Sequence, residues 1–300
     1  MSKTKQAKFL GVSRGSLYYK SKLEVKDEEL RSLIEVVMSK HPAYGYRRVA
    51  LELGINKKRA QRVMQKYNLK PARRACVSPY KKDDTGKEAL WYPDITKILC
   101  PLAPNVIWVS DFTYIRFKGI FIYLCTVIDL FTREVLGFHL MTSHTTELIK
   151  KAFIKAIKKA STTPVWFHSD QGSEYTSDKF LSLLASHDVK PSLTPKSSPW
   201  RNGSQESFFG RFKVEFGDFE RFETLPELME AIYHYLNYYN TERIHSAIKD
   251  KPSNFKSRWK EKYFNTLSTS YESPPFEPPS TSQSSVTEIT SKEIEIYGYT

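Results

Sequence analysis

At Asn105 the chain changes its hydrophobic period, and this change restricts the available folds more than any other feature. Val106 to Phe117 is rich in β-branched and aromatic residues, and Lys118-Gly119 reads as a turn. Ile120 to Leu130 is a nearly continuous apolar run, the signature of a strand covered on both faces. Arg133 to Leu140 can form a third strand. A helix should follow, because Ile149, Phe153, Ala156, Ile157 and Ala160 share one stripe, with Lys150, Lys151, Lys155 and Lys158 outside it. Val165 to His168 reads as a short strand, Asp178 to His187 as a helix, and Ser192 to Thr194 as a strand ended by Pro195. Two further helices fit Gln205–Phe219 and Leu225–Tyr239. The order predicts an α/β fold, a mixed five-stranded sheet with helices packed on it.

Residues 1–75 are different: helical and basic, with two matching punctuation marks. Leu10-Gly11-Val12-Ser13 and Leu53-Gly54-Ile55-Asn56 each place a glycine where a helix can end and a capping residue where the next can begin. That is the turn chemistry of a helix-turn-helix, whose second helix can enter a DNA major groove. In the second copy this helix carries Lys57, Lys58, Arg59, Arg62 and Lys66. Two ordinary helical hairpins with solvated basic faces would look similar. The charge distribution favours DNA: residues 1–90 hold 22 Lys/Arg against nine Asp/Glu, equal to the whole chain's net +13. Residues 76–100 read as a linker, and the Ser-, Pro- and Glu-rich segment 266–300 as a disordered acidic tail. Cys76, Cys100 and Cys125 form no CxxC pair, which argues against a zinc site or a disulfide framework. No apolar run approaches the ~20 residues of a membrane span, so a cytoplasmic, nucleoid-associated protein is expected.

Thirty-three acidic residues guarantee that some acidic triple can be found, so context must decide. Asp111 lies midway along a predicted strand, where an unpaired buried carboxylate is costly unless a metal, a proton or a cation compensates it. Asp170 follows the strand ending at His168, although an Asp before Gly172 is also an ordinary turn former. Glu206 and Lys213 are seven residues apart on a helix whose Phe208, Phe212, Phe216 and Phe219 form the opposite ridge. An isolated helix of this kind would simply present a solvated charged face. Converging carboxylates, by contrast, suit hard cations that bind oxygen.

These residues resemble the DDE transposases of the retroviral-integrase superfamily, and most closely the second-reading-frame (OrfB-type) transposases of the insertion-sequence-three family. The resemblance is carried by Trp108-Val109-Ser110-Asp111-Phe112-Thr113-Tyr114, by Asp129 to Gly137, and by His168-Ser169-Asp170-Gln171-Gly172-Ser173-Glu174-Tyr175. Glu206 through Lys213 and Glu215, and Tyr239 to Ala247, complete it; 35 residues, 171 to 205, separate Asp170 from Glu206. It spans about residues 5–265, with Tyr44-Gly45-Tyr46-Arg47-Arg48 and Lys57–Leu69 similar to the family's helical domain. The sequence departs from the family at Ser110, where Thr is more usual, and at Arg201, which precedes Asn202 where an acid is common.

The resemblance implies an RNase H-like catalytic core at 101–265 behind a small all-α DNA-binding region. It implies Asp111, Asp170 and Glu206 as catalytic metal ligands for two Mg²⁺ (or Mn²⁺) ions, and DNA cleavage followed by attack of the freed 3′-hydroxyl on another strand. Expected partners are terminal inverted repeats, target DNA, further copies of the chain on DNA, and an upstream-frame (OrfA-type) protein or fusion. Lys213, Arg201, Asn202, Arg243 and His245 are expected to contact DNA beside the site, with Lys57, Lys58, Arg59 and Arg62 contributing from the helical region. A hydrolysis-only nuclease and a catalytically silent DNA binder are the competing expectations. Asp129 and Glu174 are expected to support loops rather than to bind metal.

Overall fold

Strand β1 (Ile107–Phe117) occupies the centre of the sheet because both its edges are paired. It runs antiparallel to β2 (Ile120–Asp129), which runs antiparallel to β3 (Val135–Met141). On its other edge β1 pairs parallel with β4 (Trp166–Ser169), and β4 pairs parallel with β5 (Lys190–Leu193). The order β3-β2-β1-β4-β5 is the mixed five-stranded sheet expected from the sequence. Lys118 and Gly119 both have positive φ, 44° and 82°, which matches the turn to the strand twist in the β1–β2 hairpin. The computed structural model describes residues 2–18, 23–72, 92–194 and 203–270.

Alternate residues of β1 feed two cores. Ile107, Val109, Ile115 and Phe117 pack with α8 (Gly203–Phe216) and α9 (Leu225–Thr241), through Phe208, Phe212, Leu228 and Ile232. Trp108 faces the other way, toward α6 (Thr146–Ala160) and α7 (Asp178–Ala185). Covering both faces is what the continuous apolar run of β2 requires. Gly137 on β3 marks where α6 comes closest: a Cβ there would strike the Ala152 carbonyl and the Ala156 backbone nitrogen.

Several boundaries differ from the sequence expectation, each for a local reason. Strand β5 begins at Lys190 and contains Pro191, which is tolerated because β5 is an edge strand. Helix α8 stops at Phe216 rather than Phe219, since Gly217 takes a left-handed φ of 81°. Phe219 still stacks on Phe216, centroids 4.9 Å apart. A last helix, α10 (Pro252–Ser270), was not anticipated, and it carries regular structure five residues past the expected start of the tail. Residues 271–300 lie outside the described residues, as do 73–91 of the expected linker. The rest of that linker is laced to the sheet: its single-turn helix α5 (Ile95–Ile98) donates the Ile95 N–H to the Ser192 hydroxyl, which donates to the Pro93 carbonyl.

The helical front is built from α1 (Lys3–Leu10), α2 (Leu23–Lys40), α3 (Tyr46–Glu52) and α4 (Lys57–Lys66). In the second expected copy the turn chemistry between α3 and α4 forms, with Gly54 at φ 62° and the Asn56 side chain accepting the Lys58 N–H at 2.8 Å. In the first copy Ser13 caps only a 3-10 turn, Arg14–Leu17. The front shares a core with the sheet-bearing part, because Ile34, Tyr44, Val49 and Val63 cluster with Ile244. The Tyr44 hydroxyl accepts the Ile244 N–H at 2.6 Å, and His41 Nδ1 pairs with the Tyr238 hydroxyl at 2.6 Å. Contacts divide the chain after Arg258, so this front and the sheet belong to one unit.

Gly137→Ala should push α6 off the sheet and cost about 1–3 kcal/mol, the range for overpacking, read as a lower urea midpoint with unchanged slope.

Candidate active site

Asp111 sits in the middle of β1, opposite Thr126 of β2. Its sequence parity is that of Val109, so it shares the sheet face covered by α8, while Ser110 points into the opposite core and meets the Tyr175 hydroxyl at 2.9 Å. The parallel register then aligns the second acid. Val109 pairs with His168, so two residues further along each strand come Asp111 and Asp170. Asp170 leaves the end of β4, and its carboxylate accepts the Gly172 N–H at 3.0 Å. A Cβ on Gly172 would lie 3.1 Å from a carboxylate oxygen of Asp170 and 3.1 Å from one of Glu174, so only glycine fits between them comfortably.

Glu206 approaches from the first turn of α8, where it is exposed. Its neighbour Gln205 explains why the helix starts there. The Gln205 amide is fully buried, donates to the Val109 carbonyl at 2.7 Å and accepts from the Thr126 hydroxyl at 3.1 Å. Those partners flank Asp111 along the strand and across it. Sequence reasoning missed Gln205, although a Gln on the apolar side of a Phe-rich helix was a usable signal.

Electrostatics register the convergence. The Asp111 carboxyl is raised to about 7, first by burial and then by the charges of Asp170 and Glu206, while the Phe112 N–H opposes them. Burial and the Glu174 charge likewise raise Asp170. The three acids therefore lie within electrostatic reach of one another. Among the described residues, however, no three His, Cys, Asp or Glu side chains are grouped tightly enough to hold a metal ion. Glu206 is near enough for its charge to act on Asp111 but closes no coordination shell with the aspartates.

The remaining acids near the site have structural partners. Asp129 accepts from the Asn105, Phe131 and Thr132 backbone N–H groups and from the Thr132 hydroxyl, which ties the β2–β3 turn to the segment leading into β1. Glu174 pairs with His144 at 2.7 Å, and the His144 ring stacks on Phe112. Buried His168 hydrogen-bonds Ser192 at 2.8 Å, and desolvation lowers it to about 4 and keeps it neutral.

Of the residues expected to contact DNA, Lys57, Lys58 and Arg59 are exposed at the start of α4. Lys213 is partly buried, with Nζ 5.0 Å above the Tyr114 ring. Arg201 and Asn202 lie outside the described residues. Three expectations need correction. Arg62 makes a two-pronged ion pair with buried Asp27, at 2.5 and 2.6 Å, and so anchors α4 to α2. Arg243 is 4% exposed and grips Glu215 at 2.7 and 2.8 Å, inside the protein rather than on a DNA-facing surface. His245 is held in a turn against Asp250, and burial with nearby Arg133, Arg243 and Arg48 depresses it to about 3, so it carries no charge for a phosphate.

Two predictions follow from these environments. Arg243→Ala should destabilise by about 3–5 kcal/mol, the cost of stranding buried Glu215, measured by chemical denaturation. The folded Asp111 binds its proton more tightly than an ordinary Asp at 3.8, so stability falls as pH rises from about 4 to about 7 and stays lower above. Asp111→Asn should therefore melt above the parent at pH ~8, with the gain gone at pH ~4, as followed by calorimetry.

Residues 101–199 and 187–252 match two models, each described as an integrase core domain. The transposase for insertion sequence element IS904 of Lactococcus lactis is 33% identical over 245 residues, 78% of this chain and 96% of its own length. The putative transposase InsK for IS150 of Escherichia coli is 31% identical over 250 residues, 79% of this chain and 87% of its own. Among solved structures, the HTLV-2 integrase catalytic core domain aligns at 23% identity and a TM-score of 0.43, over 52% of this chain and 98% of that one. With an RNase H-like sheet, an integrase-core match and relatives aligned over nearly their whole length, the chain belongs to the DDE transposases of insertion sequences, of the OrfB type in the insertion-sequence-three family.

Proposed function

We propose that this transposase cuts the ends of its insertion sequence and joins the freed 3′-hydroxyl to another DNA strand, using Asp111, Asp170 and Glu206 as ligands of two Mg²⁺ (or Mn²⁺) ions. The observation that carries the proposal is the electrostatic one: burial and two other carboxylates raise an acid on the central strand to about 7. Such a donor set, all hard oxygen, fits a hard divalent cation better than a borderline metal that prefers imidazole or thiolate. Bound there, the ions would polarise the scissile phosphate and activate the attacking oxygen.

The chain's own residues then have distinct tasks. Asp111 and Asp170 come from paired strands and form the rigid half of the site. Glu206, on the first turn of α8, is the adjustable half, and the Gln205 amide limits how far it can stray. Lys213, seven residues along the same helix, supplies positive charge for the DNA backbone. The terminal repeats, assembly of several copies on DNA, association with the nucleoid and an upstream-frame partner belong to the same proposal. No helix among the described residues is long and apolar enough to cross a membrane.

The test incubates the protein with labelled terminal-repeat DNA and Mg²⁺, alongside Glu206→Gln. Strand joining by the parent and a loss of about a hundredfold or more in the variant, with DNA binding retained, is the expected outcome. Nicks without joined products would assign the chain to hydrolysis alone. Binding with no cleavage would make it a silent DNA binder.

A further inference from the structure

Helix α4 has two polar faces with different fates. Arg62 and Lys66 both pair with Asp27 of α2, which is 1% exposed, so these two cations are engaged within the protein while their side chains stay 41% and 40% exposed. Gln61, Gln65 and Asn68, spaced four and three residues apart, form the other stripe, and no hydrogen bond from another described residue engages their amides. These amides do not project from a ridge. Together with Tyr46, Met64 and Lys70 they line a cavity of about 370 Å³, at the small end of ligand pockets.

A convex helix face reads base edges by entering a groove, whereas a recess must receive its ligand. The lining suits one ligand chemistry in particular. Tyr46 offers an aromatic ring steadied by the Arg47 guanidinium 5.6 Å away, and Met64 gives an apolar floor. The amides supply paired donors and acceptors of the kind that match a base edge, adenine best. Lys70 stands at the rim for a phosphate, and no carboxylate lines the cavity. We propose that the recess beside α4 takes an unpaired nucleobase, extruded from the transposon end or belonging to a single-stranded stretch of it. The proposal rests on the chain being a DNA transposase and adds to it a site for an unstacked base, lined by residues other than the three carboxylates.

The test uses the full chain and two probes: a short single-stranded oligonucleotide carrying the fluorescent adenine analogue aminopurine, and a blunt duplex of the same sequence. The parent should bind the single strand and quench the analogue by stacking. The double variant Gln61→Ala/Gln65→Ala, altered at a helix surface, should lose about tenfold in single-strand affinity and most of the quench, with duplex affinity nearly unchanged. Lys57→Ala should instead weaken both probes and leave the quench intact, as a phosphate contact does. An unchanged quench in the double variant, or equal losses on both probes, overturns the proposal. If Mg²⁺-dependent cleavage of terminal-repeat DNA persists while the parent shows no quench, the failure belongs to the recess alone; if the parent neither binds nor cleaves DNA, the transposase reading fails with it.

Discussion

Helix α8 is pinned by buried polar groups at both ends, and the arrangement of the carboxylates depends on that. Near its start, Gln205 bridges the Val109 carbonyl and the Thr126 hydroxyl; near its end, Glu215 receives Arg243, the Tyr235 hydroxyl and, at 3.6 Å, Arg48. Between them the phenylalanines supply most of the burial, through Phe208, Phe209, Phe212 and Phe216. Apolar packing alone is permissive about a helix sliding along its axis. Buried amides and carboxylates are not, because a shift of one residue would leave each without a partner at a cost of roughly 1–3 kcal/mol per neutral group and more for a charge. The hydrophobic ridge thus holds α8 to the sheet, and its two polar anchors choose the register that brings Glu206 toward Asp111.

That register sets up an unfavourable cluster. Asp111 and Asp170 are raised by burial and by neighbouring negative charge, so repulsion is concentrated at the middle of the central strand. The rest of the sheet is strong enough to tolerate it: both cores are apolar, and the nearby polar residues Ser110, Thr126 and Tyr175 all have hydrogen-bond partners. Strain of this kind is commonly concentrated at functional sites and supported by the surrounding scaffold.

Much of this was legible in the residues. The switch from a helical to a strand period at Asn105 anticipated the sheet, and the apolar continuity of β2 anticipated cover on both faces. Asp111 and Asp170 stood out because a strand interior and a strand end are distinctive places for a carboxylate. What the sequence hid was partnership. Arg62 and Arg243 look like DNA contacts in a basic chain, and only the fold reveals that Asp27 and Glu215 claim them. Pro191 concealed the start of β5, because edge position is a property of the sheet and not of the segment. The two-residue extension of the β1–β4 register that aligns the aspartates is likewise a tertiary fact.

The helical front looks like a detachable reader mounted ahead of a catalytic engine, yet its hydrogen bonds contradict that picture. The Tyr44 hydroxyl caps the backbone at Ile244, His41 meets Tyr238, and Arg48 reaches Glu215 on the very helix that presents Glu206. Exchanging this front for that of a distant relative would therefore disturb the interior of the engine. Changes confined to the exposed start of α4 would leave that interior intact, and lineages of this architecture should change their front and core in concert.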